Sequence, residues 1–311
     1  MGAQFMPTLN GIIPILVTPF DANGRIDEDS LRRVVHFELE GGIHGLGVGG
    51  FASEAYKLTD HERMRCAEIV AAEVAGQVPL IIGMAPGSTE AAIEQAHVYS
   101  NLHPAALMTL PPNTMNNDDL SLMEHYIALG NACDVPIMVQ QSPQIPVYAH
   151  CQLSTEHLAQ IAKHAPNIRY FKIEGPGSAR RINALRARVN DGVAMFGGVG
   201  GIALREELEV GAAGVLPGVG FNEFFVEAWS AWKDDNKVQA DEVLLRGQPL
   251  VDAVSSFGHE FSLHARKYLL KRAGIIAYDT VRRPTVRPEF TALENIGRIA
   301  DEMGLRIGLR H

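Results

Sequence analysis

Short β-type runs alternate with amphipathic helical stretches eight times over about the first 220 residues of this chain, and few folds accept that order. The candidate strands lie at 12–17, 44–49, 79–83, 105–110, 136–141, 168–174, 193–196 and 214–217. Helix-start signals fall between them. An acidic turn, Asp27-Glu28-Asp29, precedes a helix over 30–39, and Thr59 with Glu62 three residues on has the spacing of a capping box. Ser88-Thr89-Glu90 and Ser154-Thr155-Glu156 open two more. Eight strands separated by helices predict a parallel α/β fold, and the count suits a closed (β/α)8 TIM barrel better than an open sheet. No Gly-x-Gly-x-x-Gly follows the first strand, which argues against dinucleotide binding. Beyond Asn222 the strand signals stop, and 224–232, 237–254, 260–273 and 290–303 read as helices. The expected organisation is a barrel over 1–221 with C-terminal helices over 222–311 packed on it as one structural unit.

With 46% hydrophobic residues in 311, the chain can bury a large core. A net charge of −9 argues against a nucleic-acid partner, which requires a basic surface. Cys66, Cys133 and Cys151 are odd in number and far apart, as free thiols in a reducing compartment would be. Met1–Asn10 lacks the basic and apolar regions of a signal peptide, and no apolar run reaches the ~18 residues of a membrane span. A cytoplasmic protein without membrane contact is expected. The twelve histidines include no His-Glu-x-x-His, and His259 and His264 are five apart, so no metal is expected.

The residue that draws chemistry into this frame is Lys172, in Tyr170-Phe171-Lys172-Ile173-Glu174-Gly175-Pro176-Gly177. An apolar run leads into it and a Gly/Pro turn follows, which puts it near the C-terminal end of the sixth strand, where barrel enzymes keep their chemistry. A lysine buried there is costly to keep charged, because desolvation favours the neutral amine, and a neutral amine attacks a ketone to form a Schiff base. The bland alternative is a strand-end lysine that reaches solvent or pairs with Glu174. Period-two alternation sets Tyr170, Lys172 and Glu174 on one face, and Met138 and Gln140 on one face of strand five. If both faces point inward, Gln140, Lys172 and Glu174 meet at the barrel mouth.

These pieces resemble a known family. IIPILVTPFDANG at 12–24, Gly50-Phe51-Ala52-Ser53-Glu54 with Lys57-Leu58-Thr59, 79–83, Leu110-Pro111-Pro112, 170–174 and 214–218 are similar, in order and spacing, to the dihydrodipicolinate synthase / N-acetylneuraminate lyase family of lysine-dependent aldolases. The resemblance implies an eight-fold barrel, a homotetramer, a 2-keto acid substrate, and no cofactor beyond a covalent Schiff base on Lys172. It also implies that the turn at Phe51, Ala52 and Ser53 holds a carboxylate on its amides, a task that needs N–H groups rather than particular side chains. Simple turn chemistry is the alternative for Ser53. Asn113, Gly198 and Gly218 complete the expected substrate-binding set, although the glycine-rich stretch 197–201 and Gly218 also suit plain turns.

Departures from the family pattern narrow the reaction. Where the family carries a catalytic tyrosine on strand five, this chain has Val139-Gln140-Gln141-Ser142-Pro143, and Pro111-Pro112-Asn113-Thr114 supplies no partner tyrosine. Gln144-Ile145-Pro146 lacks the arginine that synthases use for a second carboxylate. An amide cannot shuttle protons as a tuned phenol does. The runs 136–140 and 170–177 resemble those of the 2-keto-3-deoxy-L-arabonate dehydratase branch. Dehydration of such a sugar acid to a semialdehyde, with Glu174 as acid/base and Gln140 orienting a hydroxyl or water, is therefore expected. Glu174 as a mere ion-pair partner and Gln140 as filler for the lost ring remain open. So do a pyruvate-dependent aldolase, a phenol supplied by Tyr148, and a non-catalytic keto-acid-binding protein.

Overall fold

The computed structural model describes residues 9–113 and 117–308. Most of the Met1–Asn10 segment, Thr114 and the last three residues lie outside that range. Strand–helix units follow one another as β1 (Gly11–Ile12), α1 (Glu28–Glu40), β2 (Leu46–Val48), α2 (Asp60–Val74), β3 (Leu80–Met84), α3 (Thr89–Ser100), β4 (Ala106–Thr109) and α4 (Asp119–Ala132). The second half continues with β5 (Ile137–Gln141), α5 (Thr155–His164), β6 (Ile168–Ile173), α6 (Ser178–Arg186), β7 (Ala194–Gly197), α7 (Leu204–Glu209), β8 (Gly214–Val215) and α8 (Glu223–Lys233). Helices α9 (Lys237–Ser255), α10 (Gly258–Arg272) and α11 (Phe290–Glu302) follow. All eight strands pair in parallel in the order β1-β8-β7-β6-β5-β4-β3-β2. Ile15 bridges both Gly47 and Gly218, which closes the sheet into the (β/α)8 barrel the alternation predicts.

Local signals act where the sequence places them. The Thr59 side chain accepts the Glu62 amide while the Glu62 carboxylate accepts the Thr59 amide, a complete capping box for α2. Asp27, Ser88 and Ser154 cap α1, α3 and α5 in the same manner. The strands are shorter than their apolar runs, because a tilted barrel strand stays paired over only part of its length. Inside the barrel, Leu9, Ile13, Ile81, Met108, Met138, Tyr170 and Phe196 form one buried cluster. Met138 and Tyr170 are register partners, and so are Gln140 and Lys172 two residues further along β5 and β6. Both faces read as inward from period-two alternation do point inward. Helix α8 packs against β1 and α9 against α8, so the C-terminal helices continue from the barrel wall without a break in packing. Among the described residues, no helix is long and apolar enough to cross a membrane.

Candidate active site

At the C-terminal mouth of the barrel lies a cavity of about 310 Å³, walled by the segments that follow β2, β5, β6, β7 and β8 and by α10. Strand β6 delivers Lys172 into it, and Glu174 follows just past the strand's end; each is only 5% exposed, so the lysine does not reach solvent. Lys172 Nζ lies 3.3 Å from Glu174 Oε1. The pairing foreseen as the bland alternative is present, and it lies in the wall of the cavity at the barrel mouth.

Glu174 is held on every side. Oε1 accepts the Val199 amide at 3.1 Å, and Oε2 accepts Gln140 Nε2 at 2.8 Å, the Ser142 hydroxyl, and Gln144 Nε2 at 3.4 Å. Burial pushes its carboxyl up, but the Lys172 charge and the Ser142, Gln140 and Val199 donors outweigh burial and hold it below the ordinary carboxylate value. The group is therefore an ionised base at neutral pH. Val199 donates its amide from a left-handed backbone at φ 48°, sparsely populated for a β-branched residue and costing on the order of 1–3 kcal/mol. A Cβ built on Gly198 would stand 2.1 Å from Glu174 Oε1, so the glycine is what lets this loop close over the carboxylate.

The other expected residues divide. Phe51 and Ala52 line the cavity from the first positions of a 3-10 turn, whose leading amides have no partner within the turn. Ser53 does not line it: its hydroxyl donates to the Leu16 carbonyl at 2.6 Å and accepts the Gly49 amide at 3.0 Å, and its own amide donates to Gly50 at 3.1 Å. The placement makes Ser53 a brace under the turn, with both polar groups spent. Gly218 lines the cavity, whereas Gly198 sits behind Glu174 and half-buried Asn113 is not among the wall residues. Gln140 is 1% exposed and donates to Glu174 and to Ser142 Oγ at 3.0 Å, so it meets a substrate only through the carboxylate. Tyr148 packs edge-on against Phe51 at 5.6 Å, and burial raises its phenol above the usual value. No tyrosine lines the cavity among the described residues.

Several residues in and behind the wall were missed in the sequence. Ser142, fully buried behind the wall where it holds Glu174, was the most legible of them, two residues past Gln140 and thus on its face. Gln144 lines the wall, and its buried Oε1 has no hydrogen-bond partner among the described residues. Helix α10 contributes Arg266, and also His259, whose Nε2 donates to the Phe51 carbonyl at 3.2 Å and whose pKa burial lowers, leaving a neutral imidazole. Behind β7, Glu207 accepts Ser178 Oγ at 2.6 Å while its Oε2 has no partner; burial, with Glu174 adding to it, pushes this second carboxyl up to about 7. Among the described residues, no group of three or more His, Cys, Asp or Glu could hold a metal ion.

A model of the dihydrodipicolinate synthetase family matches residues 8–302. The chain is similar to the L-2-keto-3-deoxyarabonate dehydratase of Azospirillum brasilense, at 29% identity over 98% of this chain and 99% of that protein. It is similar also to a 4-hydroxy-tetrahydrodipicolinate synthase of Xylella fastidiosa, at 34% identity over 67% of each. Among solved structures, a putative dihydrodipicolinate synthetase from Pseudomonas aeruginosa superposes with a TM-score of 0.87 at 23% identity, covering 95% of this chain and 100% of that one. YagE from E. coli K12, crystallised in complex with pyruvate, gives 0.86 at 18% identity, covering 97% and 100%. At these identities the solved structures speak for the fold.

Proposed function

The chain belongs to the dihydrodipicolinate synthetase family, whose members are Schiff-base lyases that need no cofactor, and from that premise we propose that Lys172 forms the imine and that the reaction is a dehydration. The substrate is a 2-keto-3-deoxy sugar acid, 2-keto-3-deoxy-L-arabonate or a close analogue, and the product a semialdehyde such as 2-oxoglutarate semialdehyde. The observation that carries this reading is Glu174: an ionised carboxylate 3.3 Å from the lysine, in a cavity with no tyrosine among its described wall residues. The similarity to the Azospirillum dehydratase over nearly the full length of both chains points the same way.

The chemistry follows from that pair. The Lys172 amine adds to the C2 ketone, and the proton its ammonium gave up to do so returns to the carbinolamine oxygen, which leaves as water and gives an iminium that draws electrons from C3. Glu174 removes a C3 proton, the C3–H electrons form a C2=C3 bond, and the C2=N π pair moves onto nitrogen to give an enamine. The enamine expels the C4 hydroxyl, which departs as water with the proton Glu174 has just taken. Shift of the new double bond toward C5, followed by hydrolysis of the imine, frees the semialdehyde and the lysine. Retro-aldol cleavage would instead need a base on the C4 hydroxyl, the task of a phenol, and none stands among the described wall residues. The leading amides of Phe51 and Ala52 would receive the C1 carboxylate. Gln140 and Ser142 act as positioning residues, holding the base.

Borohydride with pyruvate should leave a reduced adduct on Lys172 by mass spectrometry, and Lys172→Ala should abolish it. The sugar acid should then yield a product oxidised by an NADP-linked aldehyde dehydrogenase. Pyruvate and a small aldehyde as main products would make the enzyme an aldolase. Absence of the adduct, with ligand affinity unchanged in Lys172→Ala, would leave a non-catalytic keto-acid binder. A homotetramer in the cytoplasm belongs to the same reading, supported by the family and by three buried free cysteines; light scattering checks the assembly.

A further inference from the structure

Arg266 is a buried cation that none of the chemistry above uses. It is 5% exposed, lines the cavity, and makes one hydrogen bond among the described residues, from Nη1 to the Val219 carbonyl at 2.6 Å. Its guanidinium lies over the Phe221 ring at 4.4 Å and flat against Gly218, where a built Cβ would come within 2.6 Å of Nε and 2.7 Å of Cζ. A Cβ on Gly200 would lie 3.6 Å from Nη2 and 3.6 Å from Ser255 Oγ, so the remaining N–H groups sit where the β7 and β8 loops meet α10. No carboxylate comes within ion-pair distance of it among the described residues. Glu38 is its nearest electrostatic partner, but that carboxylate already accepts the Gly220 amide at 2.7 Å and Asn222 Nδ2 at 2.8 Å. Burial also lifts Glu38 to about 7, so at neutral pH it carries only part of a charge.

An unpaired charge removed from water is costly, and removing one member of a buried pair typically destabilises by ~3–5 kcal/mol. Within the cavity, Lys172 and Glu174 neutralise each other, which leaves Arg266 as the excess positive charge. Its place differs from that of the Phe51–Ala52 turn. Ile15, just past β1, bridges Gly47 on the β2 side and Gly218 on the β8 side, which sets those two backbones two strand spacings apart, roughly 10 Å, with the turn beyond the first and Arg266 against the second.

We propose that Arg266, set against Gly218 and beside Gly200 and Ser255, is a second carboxylate subsite, so that the site also takes 2-keto acids whose far end is a carboxylate. This rests on the reading above for the ketone at Lys172 and the first carboxylate at the turn, and it adds dianionic 2-keto acids to the ligands of the same site. A guanidinium meets a carboxylate through two parallel N–H donors, which gives it orientation as well as charge.

Calorimetric binding of 2-oxoglutarate against 2-oxopentanoate, equal in carbon count and different only at the far end, tests it. The dianion should bind about ten- to a hundredfold more tightly, the worth of charged hydrogen bonds in a desolvated site. The preference should survive in Lys172→Ala, because it needs no imine; failure of the Schiff-base reading is thereby separated from failure of this one. Arg266→Gln should bring the ratio to within about twofold of unity and leave pyruvate trapping at Lys172 unchanged, while Arg266→Lys keeps part of the preference. A ratio near one in the wild type, or one unchanged in Arg266→Gln, overturns the subsite. Equal weakening of both acids in Arg266→Gln would move the arginine to the first carboxylate and equally overturn it. The wild-type ratio decides the matter even if the glutamine variant does not fold.

Discussion

Replacing Gly198 by alanine tests whether catalysis depends on how Glu174 is held. The added methyl would stand 2.1 Å from Glu174 Oε1 and 2.8 Å from its Cγ and Cδ, short of the 3.4 Å of ordinary contact by 1.3 Å at the closest atom. The carboxylate has nowhere to retreat, because Gln140, Ser142 and Gln144 already bind Oε2 on its other side. Either the loop lifts, taking the Val199 amide from its 3.1 Å bond, or the carboxylate turns away from Lys172. A misplacement of about 1 Å in a reacting group can cost on the order of 100-fold in rate, and overpacking of this kind destabilises by about 1–3 kcal/mol. We expect kcat for the dehydration to fall about 100-fold, while borohydride with pyruvate still labels Lys172, whose strand is untouched. Steady-state kinetics with the coupled dehydrogenase, borohydride trapping and a denaturant melt read the three quantities. A variant that keeps more than half of the wild-type kcat would refute the dependence on a fixed Glu174, whatever its stability.

Ser53→Ala should lower stability by about 1–3 kcal/mol in urea denaturation, since it strips the Leu16 carbonyl and Gly49 amide of a buried partner. At a temperature where the variant is folded, pyruvate affinity should stay within about threefold; a larger loss would return the hydroxyl to the substrate. Glu207 is pushed up to about 7 in the folded protein, above its unfolded value of 4.5, so the native state holds the proton more tightly. Its contribution is complete below about pH 4.5 and is lost as pH rises through 7. Glu207→Gln should therefore gain roughly 1–3 kcal/mol relative to wild type on moving from pH 5 to pH 8. A difference that does not change with pH would show that this carboxyl titrates normally.

The sequence by itself determined the barrel and the heart of the site, because both are written in local periodicity. Strands alternating with helices allow only parallel pairing, and period two places Gln140 beside Lys172 and Met138 beside Tyr170 once the strands are in register. The C-terminal helices were legible as helices, but the helical repeat says which face is buried and not what that face meets. Only the tertiary structure brings Arg266 of α10 against Gly218, 48 residues away in the chain, and the Val199 amide onto Glu174. Only it turns Ser53 down onto Leu16 instead of up into the cavity. It also separates two glutamates that the sequence cannot distinguish. Glu174 is held low by a lysine and several donors, and Glu207 is raised by burial with one oxygen unpartnered. A carboxyl's charge state belongs to its surroundings, and those are assembled from distant segments that local pattern does not join.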